Sequence, residues 1–393
     1  MDQCRGRRRG TGKLIIGLDG DNMHILITGG AGFIGSHVAD LLVEAGYKVR
    51  VLDALVEQVH GKARQRPGYL HPAVDLVIGE IENPVVLHAA MEGVQAVIHL
   101  AAAVGVGQSM YQIVDYCRTN VMGTAVLLEE LIRRKSEIKS LVVASSMSAY
   151  GEGSYRTPCG EIIYPDVRPD AQLASGDWEL RDKNGDPLEP VATNETKPLC
   201  PRSVYAINKR DQEEMCLSVA GAYGIPATAL RFFNAYGSRQ ALSNPYTGVA
   251  AIFCARLLND QPPLVFEDGQ QQRDFVHVRD LARAVVAAME KPVTGEVVNI
   301  GSGEPITVRQ IACLLAESMG KAIEPLTLGK YRKGDIRHCF ADVSKAARVL
   351  EWKPRSMFRE GVSELIDWVK LQRAGKDKVD NAWNELRSRG LVS

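Results

Sequence analysis

Two hydrophobic periods alternate along the chain from His24 onward. Residues 24–28, HILIT, form a short apolar run that predicts a buried strand, and residues 36–46, SHVADLLVEAG, have the three-to-four spacing of an amphipathic helix. Strand runs and helical patterns continue to follow one another at 48–53, 76–80, 96–102, 123–134 and 140–146. Strands that alternate with helices indicate βαβ units around a parallel sheet. We therefore expect an α/β fold with a doubly wound parallel sheet.

Two polar stretches break this alternation. Residues 152–199, rich in Pro, Gly and Asp, have the character of an insertion, and a second polar stretch begins near Gly237. Beyond it, helical patterns surround short strands. We expect residues 23–236 to form mainly the first domain, with the insertion, and residues 237–393 to form mainly a smaller α/β portion. The two should meet over a cleft at the C-terminal edge of the sheet, where such sheets bind ligands.

Composition and charge exclude several classes of protein. The chain has 47 Lys and Arg against 47 Asp and Glu, so it lacks the basic excess of a nucleic-acid binder. No apolar run reaches the ~20 residues of a membrane span. The eight cysteines are scattered without a close CxxC pair, so we expect free thiols in the cytoplasm and no metal site. Residues 1–22, rich in Gly and Arg, are interpreted as a flexible leader, with a basic targeting arm as the alternative.

The turn after the first strand, GGAGFIG, has the spacing of a dinucleotide-binding site. Gly30, Gly32 and Gly35 stand in GxGxxG spacing with Gly29 in front, between a strand and a helix. Such a turn lets backbone amides approach a pyrophosphate at the helix N-terminus. Asp53 ends the second strand about twenty residues on, where a carboxylate accepts the ribose hydroxyls of NAD and repels a 2′-phosphate. No arginine directly follows it, so we expect NAD rather than NADP.

The remaining predicted NAD contacts lie at strand ends and on helices. The residues after the third strand would meet the adenine end, and the small side chains of LAAA would let the backbone lie against the cofactor. Beyond the glycines and Asp53, the predicted set comprises Phe33, Ile34, Glu80, Ile81, Leu100, Ala101, Ala102, Asn120, Tyr205 and Lys209.

A tyrosine and a lysine stand four residues apart in SVYAINKRDQEE. On a helix, Tyr205 and Lys209 would share one face. A tyrosine with its ordinary pKa near 10 is a poor base at neutral pH, but a neighbouring ammonium stabilises the phenolate and lowers that pKa. Tyr205 could then take a proton from an alcohol while hydride leaves the same carbon. A surface pair is the alternative for this common spacing, and the upstream NAD motif favours the catalytic interpretation.

Several motifs together resemble a known family. TGGAGFIGSH, LAAAVGV, NVMGTAVLLE, VVASSMSAYG, SVYAINK and LRFFNAYG are similar to the extended short-chain dehydrogenase/reductases, and more narrowly to the NAD-dependent epimerase/dehydratase family that acts on nucleotide sugars. DGQQQRDFVHVRDLARA and VNIGSGEPITVRQIA extend the resemblance, which covers roughly residues 23–370. It implies a Rossmann NAD-binding domain, a nucleotide-sugar-binding C-terminal portion, bound NAD and a Ser/Thr–Tyr–Lys triad.

The serine turn ASSMSAYG selects among the reactions of this family. The resemblance implies that Ser146 is the triad hydroxyl and that Met147 and Ser148 occupy the positions that decide the reaction, with Ser148 also contacting substrate. Family 4,6-dehydratases resemble one another in having Asp–Glu there, and decarboxylating relatives place a glutamate at the second position. Methionine and serine cannot replace these acids, so we expect a 4-epimerase that oxidises and re-reduces C4. A 4,6-dehydratase, a UDP-glucuronate epimerase or decarboxylase, a net dehydrogenase and a non-catalytic NAD-binding protein are the alternatives.

The resemblance also implies how the nucleotide sugar is held. Asn234 is similar to the asparagine that contacts the sugar or diphosphate, and Arg273 and Arg337 to the arginines that clamp the diphosphate, which suits bidentate guanidinium binding. Sequences such as RPDAQLASGDWE in the insertion resemble the dTDP-L-rhamnose 4-epimerase subgroup. The family further implies a homodimer, for which Leu127, Leu128 and Leu131 are candidate interface residues, with the core of one chain as their alternative.

Overall fold

The computed structural model describes residues 23–241, 248–332, 334–371 and 385–392. The predicted leader, residues 1–22, lies outside the described residues. The strands are β1 (His24–Thr28), β2 (Lys48–Asp53), β3 (Asp75–Ile78), β4 (Ala96–His99), β5 (Ser140–Ser146), β6 (Ser154–Arg156), β7 (Ile162–Ile163), β8 (Glu189–Val191), β9 (Ala227–Phe232), β10 (Asn234–Tyr236), β11 (Leu264–Val265), β12 (Gln272–His277), β13 (Glu296–Ile300), β14 (Pro305–Thr307), β15 (Leu326–Thr327) and β16 (His338–Cys339). The α-helices are α1 (Phe33–Glu44), α2 (Glu57–His60), α3 (Pro84–Ala90), α4 (Val106–Ser109), α5 (Ile113–Tyr116), α6 (Gly123–Arg133), α7 (Asp170–Ala174), α8 (Val204–Tyr223), α9 (Val249–Leu258), α10 (Val278–Glu290), α11 (Val308–Ser318), α12 (Ser344–Val349) and α13 (Phe358–Leu371).

A seven-stranded sheet forms the centre of the molecule. Its order is β13-β9-β5-β4-β1-β2-β3, and every neighbouring pair is parallel. Helices cover both faces, so the central strands are apolar without interruption. The predicted doubly wound fold is confirmed. The order reverses between β1 and β4, and such a reversal opens a ligand crevice at the carboxyl ends of the strands.

Each face of the sheet has its own apolar core. One core joins the sheet to α1 and α10, and the other joins it to α3, α6 and α8. Leu127, Leu128 and Leu131 belong to the second core and are almost fully buried. Of the two alternatives for these leucines, the core of the single chain is the one observed.

A smaller portion packs beside the sheet. Strand β12 pairs with β10, β14 and β16, and α9, α11 and α13 enclose a third apolar core. The chain also returns to the large sheet from beyond residue 237, because β13 forms its edge and α10 covers its face. Residues on both sides of the predicted division at 236 and 237 therefore contribute to the large sheet and to the helices that cover it.

The insertion forms a unit of its own. Strand β6 pairs with β7 and β8 in an antiparallel sheet, and α7 lies between β7 and β8 in sequence. Tyr155, Leu180 and Leu188 form its small apolar cluster. Within the described residues, no helix is long and apolar enough to cross a membrane, and no cluster of three or more His, Cys, Asp or Glu side chains could hold a metal ion.

Candidate active site

The glycine turn lies between β1 and α1 in a space that larger residues could not enter. Gly29 has a φ of +69°, and a Cβ there would lie 2.8 Å from the Cα of Ala101. A Cβ on Gly30 would lie 2.5 Å from a methyl of Val51, and one on Gly35 would lie 2.5 Å from the Cα of Gly30. The sequence is therefore glycine-rich here because strand, turn and helix approach within backbone contact.

The first amides of α1 are available to a ligand. Gly32 is the N-cap residue and no side chain caps the helix, and a Cβ on Gly32 would meet only the Gly29 carbonyl at 3.3 Å. Phe33 and Ile34, the first two helical residues, are half-buried. Uncapped amides at a helix N-terminus favour an anion such as a pyrophosphate. The geometry of this turn fits the dinucleotide that its spacing predicts.

Asp53 lies at the end of β2 beside this turn. Its Oδ2 accepts a hydrogen bond from the Ala31 amide at 3.0 Å, and its Oδ1 accepts one from the Leu55 amide at 2.9 Å. These two bonds fix the carboxylate and leave lone pairs on both oxygens. The ring of His60 lies 3.8 Å from Oδ1, and burial lowers the pKa of this histidine, so it is neutral at pH 7. The carboxylate is thus oriented without being neutralised.

The other predicted cofactor contacts lie after strands β3 and β4 and in a π-helix. Glu80 is exposed just after β3, whereas Ile81 is buried and packs against Gly123. Leu100, Ala101 and Ala102 continue β4 along the glycine turn and are half-buried. Asn120 is fully buried in a π-helix over Cys117–Met122, and its amide accepts from the Ala103 N–H at 2.7 Å and donates to the Ala103 carbonyl at 3.1 Å. In this position Asn120 braces the loop after β4.

The serine turn follows β5 and forms one 3₁₀ turn over Met147–Tyr150. The Ser146 Oγ accepts from the Ser148 amide at 3.2 Å and from the Ser148 hydroxyl at 2.9 Å. Ser146 also lies near enough to the Tyr205 phenol to favour a lower pKa for it. Met147 is buried in an apolar cluster with Phe233. The turn therefore contains hydroxyls and a thioether, and no carboxylate, imidazole or amine.

Helix α8 carries the tyrosine and the lysine on one buried face. The Ser203 hydroxyl caps the helix by accepting from the Ala206 amide at 3.1 Å, which starts α8 just before Tyr205. Lys209, one turn later, donates to the Ala144 carbonyl of β5 at 2.9 Å. The structure thus brings Ser146, Tyr205 and Lys209 together, the arrangement that the family resemblance implies.

Burial changes the acidity of both groups. It raises the pKa of Tyr205 to about 12, against the opposing effect of the Ser146 hydrogen bond, and lowers the pKa of Lys209 to about 8. In the protein alone, burial therefore outweighs the lowering of the tyrosine pKa that the Tyr–Lys spacing predicts. A functional phenolate here needs additional positive charge.

Two buried polar networks hold α8 against the sheet. The His99 ring bridges Thr28 at 2.8 Å and Thr124 at 3.0 Å, and Gln212 of α8 donates to Thr124 at 3.0 Å. Burial lowers the pKa of His99 to about 3, so this link is neutral at any physiological pH. Because its members come from β1, β4, α6 and α8, the network fixes α8 relative to the sheet.

The second network joins α8 to the serine turn. Glu213 and Arg231 form a buried pair with N–O distances of 2.9 and 2.5 Å, and Arg231 also donates to the Tyr150 hydroxyl at 2.9 Å. Tyr150 in turn donates to Asn299 at 2.7 Å. The hydroxyl of Ser146 and the phenol of Tyr205 are therefore positioned by one connected set of contacts.

Asn234 and Arg273 lie on the neighbouring strands β10 and β12. The Asn234 Oδ1 is buried and has no hydrogen-bond partner within the described residues, so it is available to a ligand donor. Arg273 donates to the backbone carbonyls of Arg337, at 2.8 Å, and Ile336, at 2.7 Å. Both residues occupy positions compatible with their predicted roles.

Arg337 requires a correction. Its side chain is fully buried, and its guanidinium donates to the carboxylates of Glu179, Glu267 and Asp268. A guanidinium whose donors all meet buried or partly buried carboxylates presents none to a diphosphate. The environment of Arg337 therefore disagrees with the prediction that this residue clamps the substrate. The sequence did not indicate these contacts, because the carboxylates lie far from Arg337 along the chain.

Arg332 is an exposed arginine that our sequence reasoning missed. Its guanidinium carbon lies 4.2 Å from the centre of the Phe266 ring. Its charge interacts with those of Asp335 and Arg273, and Arg273 itself forms an ion pair with Asp335 at 3.5 Å. The motif RKGD holds Arg332 three residues before Asp335, and that proximity was the available sequence signal.

Comparison with known proteins places the chain in a family. The model of the NAD-dependent epimerase/dehydratase family matches residues 25–171 and 181–301. A dTDP-L-rhamnose 4-epimerase from Burkholderia thailandensis is 35% identical over 353 residues, covering 89% of this chain and 95% of the relative. The chain therefore belongs to this family, and its cofactor is NAD, as predicted.

Solved structures of related enzymes have the same fold. A UDP-glucose 4-epimerase from Thermotoga maritima, solved with UDP-glucose, superposes with a TM-score of 0.72 at 34% identity and covers 88% of this chain and 99% of its own. A UDP-glucuronic acid 4-epimerase from Bacillus cereus, solved with UDP-glucuronic acid and NAD, has a TM-score of 0.72 at 28% identity, with coverage of 88% and 99%. Relatives also include a decarboxylase and a 4,6-dehydratase, so membership in the family leaves the reaction to be decided by the site.

Proposed function

We propose that this member of the NAD-dependent epimerase/dehydratase family is a nucleotide-sugar 4-epimerase, and that dTDP-L-rhamnose is the first substrate to test. The enzyme class is that of the relatives named above, and the sugar is suggested by the dTDP-L-rhamnose 4-epimerase among them. The proposal thus has two levels, the type of reaction and the identity of the nucleotide base and the sugar.

One observation carries the choice of reaction. Met147 and Ser148, which follow the triad serine, provide a buried thioether and a hydroxyl whose proton is donated to Ser146. Elimination of water needs a general acid and a base at the reacting carbons. Neither residue can serve as the acid, so oxidation and re-reduction of an alcohol is the chemistry that this turn supports.

Tyr205, Ser146 and Lys209 would then divide the proton chemistry. The Tyr205 phenolate removes the proton of the sugar 4-hydroxyl and later returns it. The Ser146 hydroxyl, which lies near Tyr205, holds the reacting oxygen and shares the proton. Lys209, fixed on the Ala144 carbonyl, contributes an ammonium charge that favours the phenolate.

The glycine turn and Asp53 would hold NAD. Amides at the N-terminus of α1 face the pyrophosphate, and the two Asp53 oxygens accept the adenosine ribose hydroxyls. Glu80 and the backbone of Ile81 border the adenine end, while the loop braced by Asn120 lies along the cofactor. When bound, NAD supplies the acceptor and donor of the C4 hydride, so no net oxidation occurs.

The nucleotide sugar would lie between the triad and the small portion. Asn234 offers its unpartnered amide oxygen, and Ser148 a hydroxyl, to the sugar or diphosphate. We assign the diphosphate to Arg273 and Arg332 in place of Arg337, because the donors of Arg337 all meet carboxylates, whereas Arg273 and Arg332 both interact with Asp335. Guanidinium groups bind phosphate oxygens in bidentate fashion.

Product analysis on a panel of dTDP-, UDP- and GDP-sugars tests the reaction. We expect inversion at C4, no net rise in NADH absorbance, and no deuterium from solvent on any carbon in deuterated water. A dehydratase would release water and incorporate solvent deuterium at C5, and a net dehydrogenase would accumulate NADH. Either of these outcomes would overturn the proposed reaction.

A homodimer is a second part of the proposal. Apolar side chains are exposed on neighbouring elements near the catalytic helix: Val114 on α5 is 66% exposed, Met122 at the end of the π-helix 57%, and Ile207 on α8 44%. Exposed apolar side chains on adjoining elements are typical of a protein–protein interface, and we assign this one to a second copy of the chain.

Light scattering at micromolar protein should give twice the monomer mass. Val114→Asp should yield monomers, whereas Val85→Asp, on α3, should not; a monomeric wild type would contradict the dimer.

We also propose a cytoplasmic enzyme. The cysteines within the described residues are free, and Cys216, Cys254 and Cys339 are buried. Unpaired thiols are typical of proteins in a reducing compartment.

A further inference from the structure

The insertion, residues 152–199, contacts the small portion at several places, one of which is a short loop. This loop, residues 335–338, contacts Arg273 on one side and the insertion on the other. On the first side, Arg273 donates to the carbonyls of Ile336 and Arg337 and forms an ion pair with Asp335 at 3.5 Å. The orientation of the Arg273 guanidinium therefore depends on where this loop lies.

Three charged side chains from the insertion hold the same loop from the other side. Glu152 accepts from the amides of Arg337 and His338, both at 2.7 Å. Arg168 donates to the Asp335 carbonyl at 3.2 Å. Glu179 accepts from the side chains of Arg337 and His338. Backbone and side chains of the loop are thus both fixed by the insertion.

Arg168 is the centre of this arrangement. Its guanidinium forms two bonds with Glu267, at 3.0 and 2.8 Å, and both side chains are almost fully buried. It also donates to the Trp178 carbonyl at 2.9 Å. Both terminal nitrogens of Arg168 have partners, while its buried Nε has none within the described residues. A shift of the guanidinium would separate two buried opposite charges, so this geometry is favoured over others.

The insertion also contacts the second proposed diphosphate arginine. The ring of Trp178 lies 6.4 Å from that of Tyr331, the residue before Arg332. Arg273 and Arg332 therefore both adjoin segments that the insertion packs against. Neither arginine belongs to the insertion itself.

We propose that the insertion is a positioning element for the diphosphate site, in which Arg168 acts through residues 335–338 to orient Arg273, and Trp178 acts through Tyr331 to orient Arg332. This rests on the proposed function for the identity of the ligand as a nucleoside diphosphate sugar. Arg168 does not itself touch the substrate. Groups that orient binding side chains within about half an ångström are required for full affinity.

Arg168→Lys tests this role because it conserves the charge and removes the forked set of hydrogen bonds. Dissociation constants of dTDP and UDP are measured by calorimetry on the NAD-loaded enzyme, together with kcat and KM for the epimerised sugar. We expect the dissociation constant and KM to rise about tenfold. This is the lower end of the loss in affinity seen when residues that orient metal ligands by hydrogen bonds are replaced. The value of kcat and the NAD content should stay within about twofold, because the triad lies on other elements.

Arg181→Lys is the matched control. Arg181 lies in the same insertion, pairs with Asp177 on the surface and makes no contact with residues 335–338 among the described ones. It should change none of these constants. Trp178→Leu, which alters no charge, is the second test if Arg168→Lys does not fold.

The outcomes separate this inference from the proposed function. A folded, NAD-loaded Arg168→Lys with unchanged dTDP and UDP affinity and unchanged KM overturns the positioning role, as does an unchanged Trp178→Leu where the first variant is unfolded. Equal losses in kcat and NAD content would also overturn it, since these indicate a general structural role. If Arg168→Lys weakens dTDP and UDP binding as expected but the wild type epimerises no sugar, the reaction alone is refuted.

Discussion

Replacing Tyr205 by phenylalanine removes one oxygen from the buried face of α8. The ring keeps its packing, and Ser146 loses the neighbouring phenol oxygen. Since Lys209 is held by the Ala144 carbonyl, its position should not change. The variant thus isolates the proton chemistry from the architecture of the site.

The magnitude follows from the pKa of the phenol. Burial raises the pKa of Tyr205 to about 12 in the protein alone, so forming the phenolate at pH 7.5 costs about 6 kcal/mol at ~1.36 kcal/mol per unit. The Lys209 ammonium and the positive charge of oxidised NAD must offset most of this cost. Without the hydroxyl, no phenolate forms at all, and we expect turnover to fall at least ~100-fold, as for the loss of a general base.

Initial rates of epimerisation, with NAD content measured on the same samples, provide the assay. Tyr47→Phe is the control: its hydroxyl donates to Glu290 and belongs to neither network around the triad, so the variant should lose about 1 kcal/mol of stability and keep its turnover. A Tyr205→Phe enzyme that retains turnover within tenfold of wild type would refute the assignment of Tyr205 as the base.

Three further predictions follow from the same geometry. Asp53→Asn should weaken NAD and reduce discrimination against NADP, measured by calorimetry with both cofactors; unchanged affinities would show that Asp53 does not contact the ribose. Burial lowers the pKa of Lys209 to about 8, so its ammonium is lost as pH rises through that value, and turnover should fall above about pH 8 in wild type but show no such step in Lys209→Met. Arg337→Met should lower the free energy of unfolding in urea by about 3 kcal/mol, because it removes one partner of the buried Glu267 carboxylate, whereas Arg181→Met, at an exposed pair, should lower it by less than about 1 kcal/mol; equal effects would argue against the buried network.

The parts of the site that could be predicted from sequence depend on local geometry. The glycine turn, the Asp53 position and the pairing of Tyr205 with Lys209 all follow from spacing along one strand–turn–helix unit or one helix. Such spacing fixes which side chains meet, whatever surrounds them. The doubly wound sheet was predictable for the same reason, since its apolar runs alternate regularly with helical patterns.

The parts that could not be predicted depend on partners distant in sequence. Arg337 looked like a free guanidinium, but Glu179 and Glu267, 158 and 70 residues away, enclose it. The pKa of Tyr205 was expected to be low because Lys209 is its neighbour, and burial by the rest of the fold raises it. Tertiary contacts decide both the availability and the acidity of such groups.

The π-helix over Cys117–Met122 fixes the number of residues that this segment of the chain can contain. A π turn accommodates one residue more than an α-helical turn, and deleting one residue would rotate everything beyond it by about 100°. Within the π-helix, Asn120 hydrogen-bonds the N–H and the carbonyl of Ala103. In the helix that follows, Thr124 hydrogen-bonds His99 and Leu127 packs in the apolar core. These two sets of contacts cannot both be satisfied after such a rotation. Substitutions along this segment can be absorbed one at a time, but an insertion or deletion of a single residue should be tolerated nowhere within it.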